Sequence, residues 1–197
     1  MSKLPTPQPS DASTIVIWDP FIRFFHWSLV ASFAVSFGLG KFGPDDMSAH
    51  FIAGYVMAAL LGARLVWGLI GPQTARFTSF IYGPTAILAY ARQLAVRQPS
   101  NRRGHNPLGG VFVVAMLVTL SLQVITGLFA DPEDYFNTGP LAGYISIEMS
   151  RKALTLHHTL MPVLIGLVVI HLAAIAFYRI WKRENLIRPM ITGRRQG

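Results

Sequence analysis

The chain has six histidines and no cysteine, and two of those histidines, His157 and His171, stand fourteen residues apart inside one apolar run, 156–181. At 100° per residue, fourteen steps return almost to the starting direction, so on a helix both imidazoles share a face. A rise of about 1.5 Å per residue puts them roughly 21 Å apart along the axis, too far to hold one ion jointly. Each therefore needs its own partner. Imidazole is a metal ligand, and the candidate partners are His26 in Phe-Phe-His-Trp and His50 in Ser-Ala-His-Phe-Ile-Ala-Gly-Tyr, both in other apolar runs.

The elements that must carry these side chains follow from composition. Of 197 residues, 52% are hydrophobic and only 13% charged, with a mean hydropathy of +0.43, a balance foreign to soluble domains. Four runs, 21–40, 51–70, 108–130 and 156–181, reach the ~20 residues of helix that cross a hydrocarbon core. The expected fold is an all-α membrane protein, a four-helix transmembrane bundle in one domain (15–197) behind a poorly ordered, proline-containing lead (1–14). A cleaved signal peptide is the competing reading of the first run. Its polar lead, full spanning length and aromatic-flanked histidine favour a retained span. Without cysteine, disulfides, iron–sulfur clusters and covalently attached haem are excluded.

Charge orients the bundle. With four spans, the lead, the middle loop and the tail share one side, and they hold all of the 17 Lys and Arg except Lys41, Arg151 and Lys152. Basic residues stay cytoplasmic, so both termini are expected in the cytoplasm. The opposite side also has six acids: Asp45, Asp46, Asp131, Glu133, Asp134 and Glu148. This asymmetry accounts for the formal charge of +8 without a nucleic-acid partner.

Between the spans, Trp18-Asp19-Pro20 reads as a lead-in turn, with Pro20 in the first helical turn and Trp18 in the headgroup zone. Gly71-Pro72 stops the second span. Residues 84–97 space Ile87, Leu88, Ala91, Leu94 and Ala95 at helical intervals, which fits an inner-surface helix or an exposed connector. A short helix over 144–152 is a weaker signal in the long outer loop.

Depth along each span sorts the histidines. His50 and His157 open their spans at the outer side. His26 lies roughly 8 Å inside the inner end of the first span, and His171 about 9 Å from the inner end of the fourth. The expected pairs are His50 with His157 and His26 with His171. One histidine in a span is commonly a satisfied polar residue or an interface anchor. Four at two matched depths favour ligation, because unpaired imidazoles in hydrocarbon are costly. Haem iron, with two axial positions, suits two imidazoles per level. Zinc, with three or four converging ligands, does not. Two haem b groups are the expected cofactors.

His158 could replace His157, but thirteen residues place it about 140° from His171 around the helix, so His157 is preferred. His105, in Arg-Arg-Gly-His-Asn-Pro, reads as a solvated loop histidine, with a quinone or proton site as the lesser reading. Arg64, fourteen residues after His50, shares its face near the inner level. It either pairs with a haem propionate or snorkels to the headgroups. Gly54 and Gly166 would clear space beside a porphyrin, or ease helix approach.

At these residues the chain resembles the prokaryotic cytochrome b561 family, including the b-type cytochrome subunits of nickel–iron hydrogenases. The motifs are Trp18-Asp19-Pro20, Phe-Phe-His-Trp at 24–27, His50 with Gly54-Tyr55, Arg64-Leu65-Val66-Trp67-Gly68, Gly71-Pro72, Gly104-His105-Asn106-Pro107 and Gly139-Pro140-Leu141-Ala142-Gly143. To these are added the pair in the fourth span and the tail motifs Arg183-Glu184-Asn185-Leu186 and Met190-Ile191-Thr192-Gly193. The resemblance implies a di-haem cytochrome with ligands His26, His50, His157 and His171. The family often has an acidic residue where His158 stands. The expected function is electron transfer across the membrane to or from the quinone pool, as an electron carrier or a quinone-linked oxidoreductase. The competing readings are a membrane anchor serving a periplasmic hydrogenase, dehydrogenase or c-type cytochrome, a superoxide:quinone oxidoreductase, and a non-redox channel or transporter.

Overall fold

The computed structural model describes residues 14–100, 104–133 and 136–196, so most of the lead, 1–13, lies outside the described residues. Four long helices, α1 (Pro20–Phe42), α2 (Ser48–Ile70), α4 (Pro107–Phe129) and α5 (Ile147–Ile180), are each long and apolar enough to span a membrane. They form two antiparallel hairpins, α1 with α2 and α4 with α5, joined by a connector that carries the short helix α3 (Pro84–Arg92). A final short helix, α6 (Ile187–Thr192), precedes strand β2 (Arg194–Gln196), which pairs antiparallel with β1 (Thr14–Val16). The two ends of the described chain, β1 and β2, thus lie together at one end of the bundle, called here the terminal end. The other is the far end.

Local chemistry sets the helix limits. Asp19 caps α1 by accepting from the Ile22 N–H at 3.1 Å, with Pro20 in the first turn, where its missing N–H costs nothing. Asn106 and Pro107 repeat the device at α4, the Asn106 side chain accepting from Gly109 N at 2.8 Å. Gly71, followed by Pro72, ends α2.

The fourth long helix differs most from expectation. It starts at Ile147, so the short helix expected over 144–152 is the far-end extension of the span itself. Ser146 caps it through Met149 N, and Glu148 pairs with Lys152 one turn on. With one first-turn N–H capped and an acid at the positive end of the helix dipole, the helix starts ahead of the apolar run and continues into it. At the far end Asn137 ties the two hairpins together, accepting from Met47 N at 3.0 Å and donating to the Asp45 carbonyl at 2.9 Å.

The interior of the bundle is a cluster of Phe25, Met57, Leu61, Leu120, Val124 and Leu164. Outward faces are apolar too: Ile170, Leu172 and Leu69 are 56%, 59% and 72% exposed, a surface that only lipid covers favourably. A second small core, Ile17, Trp18, Ile22 and Ala75, closes the terminal end. Trp18 is buried, and its ring lies 4.7 Å from that of His105.

The tail is hooked onto the start of α1. Arg23 Nη1 donates to the Ile191 carbonyl at 2.8 Å, Trp27 Nε1 to the Met190 carbonyl at 3.3 Å, and Ile17 N to the Gly193 carbonyl at 2.8 Å. Gly193 has φ 77°, a left-handed conformation that glycine adopts without strain. Helix α3 is shorter than the expected 84–97, ending at Arg92. The turns after it are held by the tail of α5, with Lys182 Nζ donating to the Gln93 and Val96 carbonyls and Trp181 Nε1 to Ala95 O.

Candidate functional site

The four long helices bring the expected histidines together in two pairs. At the far end, His50 in the first turn of α2 faces His157 on α5, with ring centres 6.2 Å apart and planes at 80°. Toward the terminal end, His26 on α1 faces His171 on α5, with centres 6.4 Å apart and planes at 50°. The two levels are separated by the fourteen residues from His157 to His171 within the unbroken helix α5, about 21 Å.

Neither pair is in direct hydrogen-bonding contact, and the spacing fits a shared metal atom. A metal-bound imidazole nitrogen stands about 2.0–2.1 Å from its metal and the ring centre roughly 1.1 Å behind it, which puts two rings on one metal about 6.3 Å apart. At each level two imidazoles face each other, the number that a porphyrin iron takes axially. The residues present fit haem.

At the far end the imidazoles are also turned correctly. His50 Nδ1 donates to the Ser36 carbonyl of α1 at 2.8 Å, and His157 Nδ1 donates to the Gln123 carbonyl of α4 at 2.9 Å. A carbonyl carries no hydrogen, so in each ring the proton is on Nδ1 and the Nε2 lone pair is left for a metal. The hydroxyls of Ser36 and Thr126 adjoin the same Nδ1 atoms at 3.2 and 3.4 Å. Both rings line one cavity whose other walls are largely apolar, including Phe33, Phe37, Met57, Val124, Leu128 and Met161.

Glycines make room for this arrangement. Gly54 lines the cavity, and a Cβ there would meet no atom within 4 Å; the same holds at Gly166. Gly40 and Gly127 act differently. A Cβ on Gly40 would stand 3.1 Å from Cε1 and Nδ1 of His50, and one on Gly127 would stand 2.9 Å from Cε1 and 3.1 Å from Nδ1 of His157. Sequence reasoning singled out Gly54 and Gly166 but missed Gly40, Gly127, Ser36, Gln123 and Thr126. The available signal was that a glycine follows each acceptor by four residues, Ser36 to Gly40 and Gln123 to Gly127.

The terminal-end pair is built otherwise. His26 Nδ1 is buried with no hydrogen-bond partner among the described residues, and the ring meets Trp27 edge-on at 5.0 Å. His171 lies parallel to Phe112, with centres 5.8 Å apart. His158 is exposed, its ring 6.3 Å from that of His157, and faces neither His50 nor His26.

Two expectations need correction. Arg64 does not snorkel: it is 3% exposed, its Nη2 donates to the Ala75 carbonyl at 3.0 Å, and its guanidinium lies over the rings of Phe77 and Phe80. The connector folds back over α2 and covers the arginine, leaving Nη1 buried and without a partner among the described residues. His105 is not a solvated loop residue. Its ring lies between Trp18 at 4.7 Å and Phe80 at 4.9 Å, and its Nδ1 is buried without a partner among the described residues. That burial, with the positive charge of Arg64 nearby, pushes its pKa down to about 4.

Four apolar spanning helices and paired interior imidazoles define a multi-pass helical membrane protein of the cytochrome type. The family model for prokaryotic cytochrome b561 matches residues 17–193, and the chain belongs to that family, whose members are membrane b-type cytochromes of electron transport. It is 26% identical to a protein of Rhodobacter capsulatus named "Probable Ni/Fe-hydrogenase B-type cytochrome subunit", with 93% of this chain and 82% of that protein aligned. Proteins of the same name from Rhizobium leguminosarum bv. viciae and Bradyrhizobium diazoefficiens are also 26% identical, over 94% and 93% of this chain and 90% and 86% of their own lengths. No solved structure matches the chain.

Proposed function

We propose that this protein is a di-haem b-type cytochrome that carries electrons across a bacterial inner membrane, with both termini cytoplasmic. One haem would be held by His50 and His157 and the other by His26 and His171. The observation that carries this reading is the repetition of one spacing, 6.2 and 6.4 Å between ring centres, at two levels of one helix. Haem iron supplies one-electron chemistry when bound. The protein's residues do the rest: four imidazoles present ligand nitrogens, apolar walls exclude water, and α5 fixes the distance between levels. Arg64, whose buried Nη1 has no partner among the described residues, would offer a charged hydrogen bond to a haem propionate.

A quinone is the expected small-molecule partner, and a periplasmic redox protein (a hydrogenase, a dehydrogenase or a c-type cytochrome) the expected protein partner. The printed names of the relatives favour a hydrogenase among these. The superoxide reading needs free cations at the far end to steer an anion. Two of the three cations there, Arg151 and Lys152, pair with Glu133 and Glu148, which weakens it.

Purified protein tests the reading directly. It should show a dithionite-reduced b-type spectrum and two haems per chain by pyridine haemochrome. A colourless preparation would instead support a channel or transporter. Affinity purification from native membranes should bring down a redox partner together with quinol-reducible haem.

A further inference from the structure

We infer that a groove at the terminal end, between the last turns of α5 and helix α6, binds one anionic phospholipid, with the phosphate held between Arg179 and Arg188.

The groove has a volume of about 440 Å³, within the ~300–1,000 Å³ that small-molecule sites occupy. Ile175, Leu186 and Ile191 supply an apolar wall, and Arg179, Arg188 and Thr192 a polar edge. None of the four paired histidines lines it, so it is separate from both imidazole levels. Helical spacing puts the two chemistries side by side. Ile175 and Arg179 are four residues apart on α5, and Arg188 and Ile191 three apart on α6, so each helix turns one cation and one isoleucine to the same side. On α5 the isoleucine is one turn deeper in the span than the arginine, which sets an apolar floor beneath a charged rim.

The rim is unneutralised. Arg179 and Arg188 are exposed, and neither guanidinium has a hydrogen bond or ion pair among the described residues. No acid lines the groove. Glu184, in the turn between the two helices, is engaged elsewhere, with Ser100 and Arg195.

The walls are held in place by the protein itself. Arg23 and Trp27 of α1 donate to the Ile191 and Met190 carbonyls of α6. At the start of α6 the Asn185 side chain accepts from the N–H groups of Ile187 and Arg188, at 3.1 Å each. A ligand therefore meets a formed groove and costs little ordering of the chain.

Position selects the kind of anion. The groove lies where the span gives way to the tail, beside the exposed Ile180 and Trp181, at the depth where aromatic side chains meet headgroups. A free anion would satisfy the arginines and leave Ile175, Leu186 and Ile191 without cover. A phosphodiester carrying acyl chains covers both, and two guanidinium forks match its oxygens. A choline headgroup brings its own cation to the rim, whereas phosphatidylglycerol brings only negative charge. Basic pockets beside spanning helices recognise acidic headgroups in this way.

Native mass spectrometry of the purified holoprotein in neutral detergent tests this, with dioleoyl phosphatidylglycerol, dioleoyl phosphatidylcholine and inorganic phosphate as probes. One phosphatidylglycerol per chain should survive activation that strips phosphatidylcholine, and millimolar inorganic phosphate should not displace it. Arg179→Gln and Arg188→Gln should each weaken its binding by about tenfold. Arg92→Gln, an exposed position at the same end outside the groove, should leave it unchanged. Equal retention of the two lipids, displacement by inorganic phosphate, undiminished binding in either groove variant, or an equal loss in Arg92→Gln would overturn the proposal. Haem content, counted in the same samples, tests the functional reading separately, because no paired histidine is altered.

Discussion

His50 of α2 and His157 of α5 meet with ring centres 6.2 Å apart, and each is held from behind by a third and a fourth helix through the carbonyls of Ser36 and Gln123. All four spanning helices therefore converge on one level of the bundle. A ligand inserted between those rings would join both hairpins.

That convergence predicts how pigment is lost. His50→Ala and His157→Ala should each remove one haem per chain, and His26→Ala and His171→Ala should each remove the other. The count is read by pyridine haemochrome against protein concentration. His158→Ala, at an exposed position beside the far-end pair, should keep both haems. Full pigment in all four ligand variants would refute the assignment.

Arg64 gives a second prediction. Its Nη2 is spent on the Ala75 carbonyl while Nη1 is buried without a partner among the described residues, so an anion beside it would gain a charge-assisted hydrogen bond of about 1.5–3 kcal/mol. Arg64→Leu should lower the potential of the His26/His171 haem and leave the His50/His157 haem unchanged in a redox titration. Two unshifted potentials would remove the propionate role and leave Arg64 as a clasp for the connector.

His105 predicts a pH dependence. Its pKa falls from the ordinary 6.5 to about 4, through burial first and the charge of Arg64 second. The unfolded chain binds this proton below about pH 6.5 and the folded chain resists it, so stability is full above that range. It declines as pH falls from about 6.5 toward 4, by up to about 3 kcal/mol. His105→Phe keeps a ring between Trp18 and Phe80 and should flatten that part of the thermal-stability profile in detergent. An unchanged slope would show that His105 is not the group responsible.

Glu184 fastens the tail. It is 5% exposed, accepts from Ser100 N and Oγ at 2.8 Å, and pairs with Arg195 Nη1 at 3.0 Å. Glu184→Ala leaves half-buried donors unmatched and should destabilise the protein by about 1–2 kcal/mol, seen as a lower midpoint of thermal unfolding. The partner is on β2, so exposure of the C-terminal residues to protease should increase in parallel. An unaltered midpoint would mean that the hooks from Arg23 and Trp27 hold the tail without it.

What was legible in the sequence was whatever can be measured along one helix. Hydropathy marks four spans, and a rise of 1.5 Å and a turn of 100° per residue place His157 and His171 on one face at two depths. Matching those depths to His26 and His50 needed only the order of the spans, and the structure joins the same pairs. Packing sideways decided the rest. The carbonyls of Ser36 and Gln123 look like any others in the sequence and become ligand supports only because neighbouring helices bring an imidazole against them. His105 reads as a surface residue because its loop is polar, yet the lead-in to α1 and the connector after α2 close over it. Arg64 is an arginine at interfacial depth until residues 72–80 fold across it. Position along a helix is set by local geometry, whereas these neighbours are distant in the chain and are selected by the collective packing of the bundle, so only the tertiary structure reveals them.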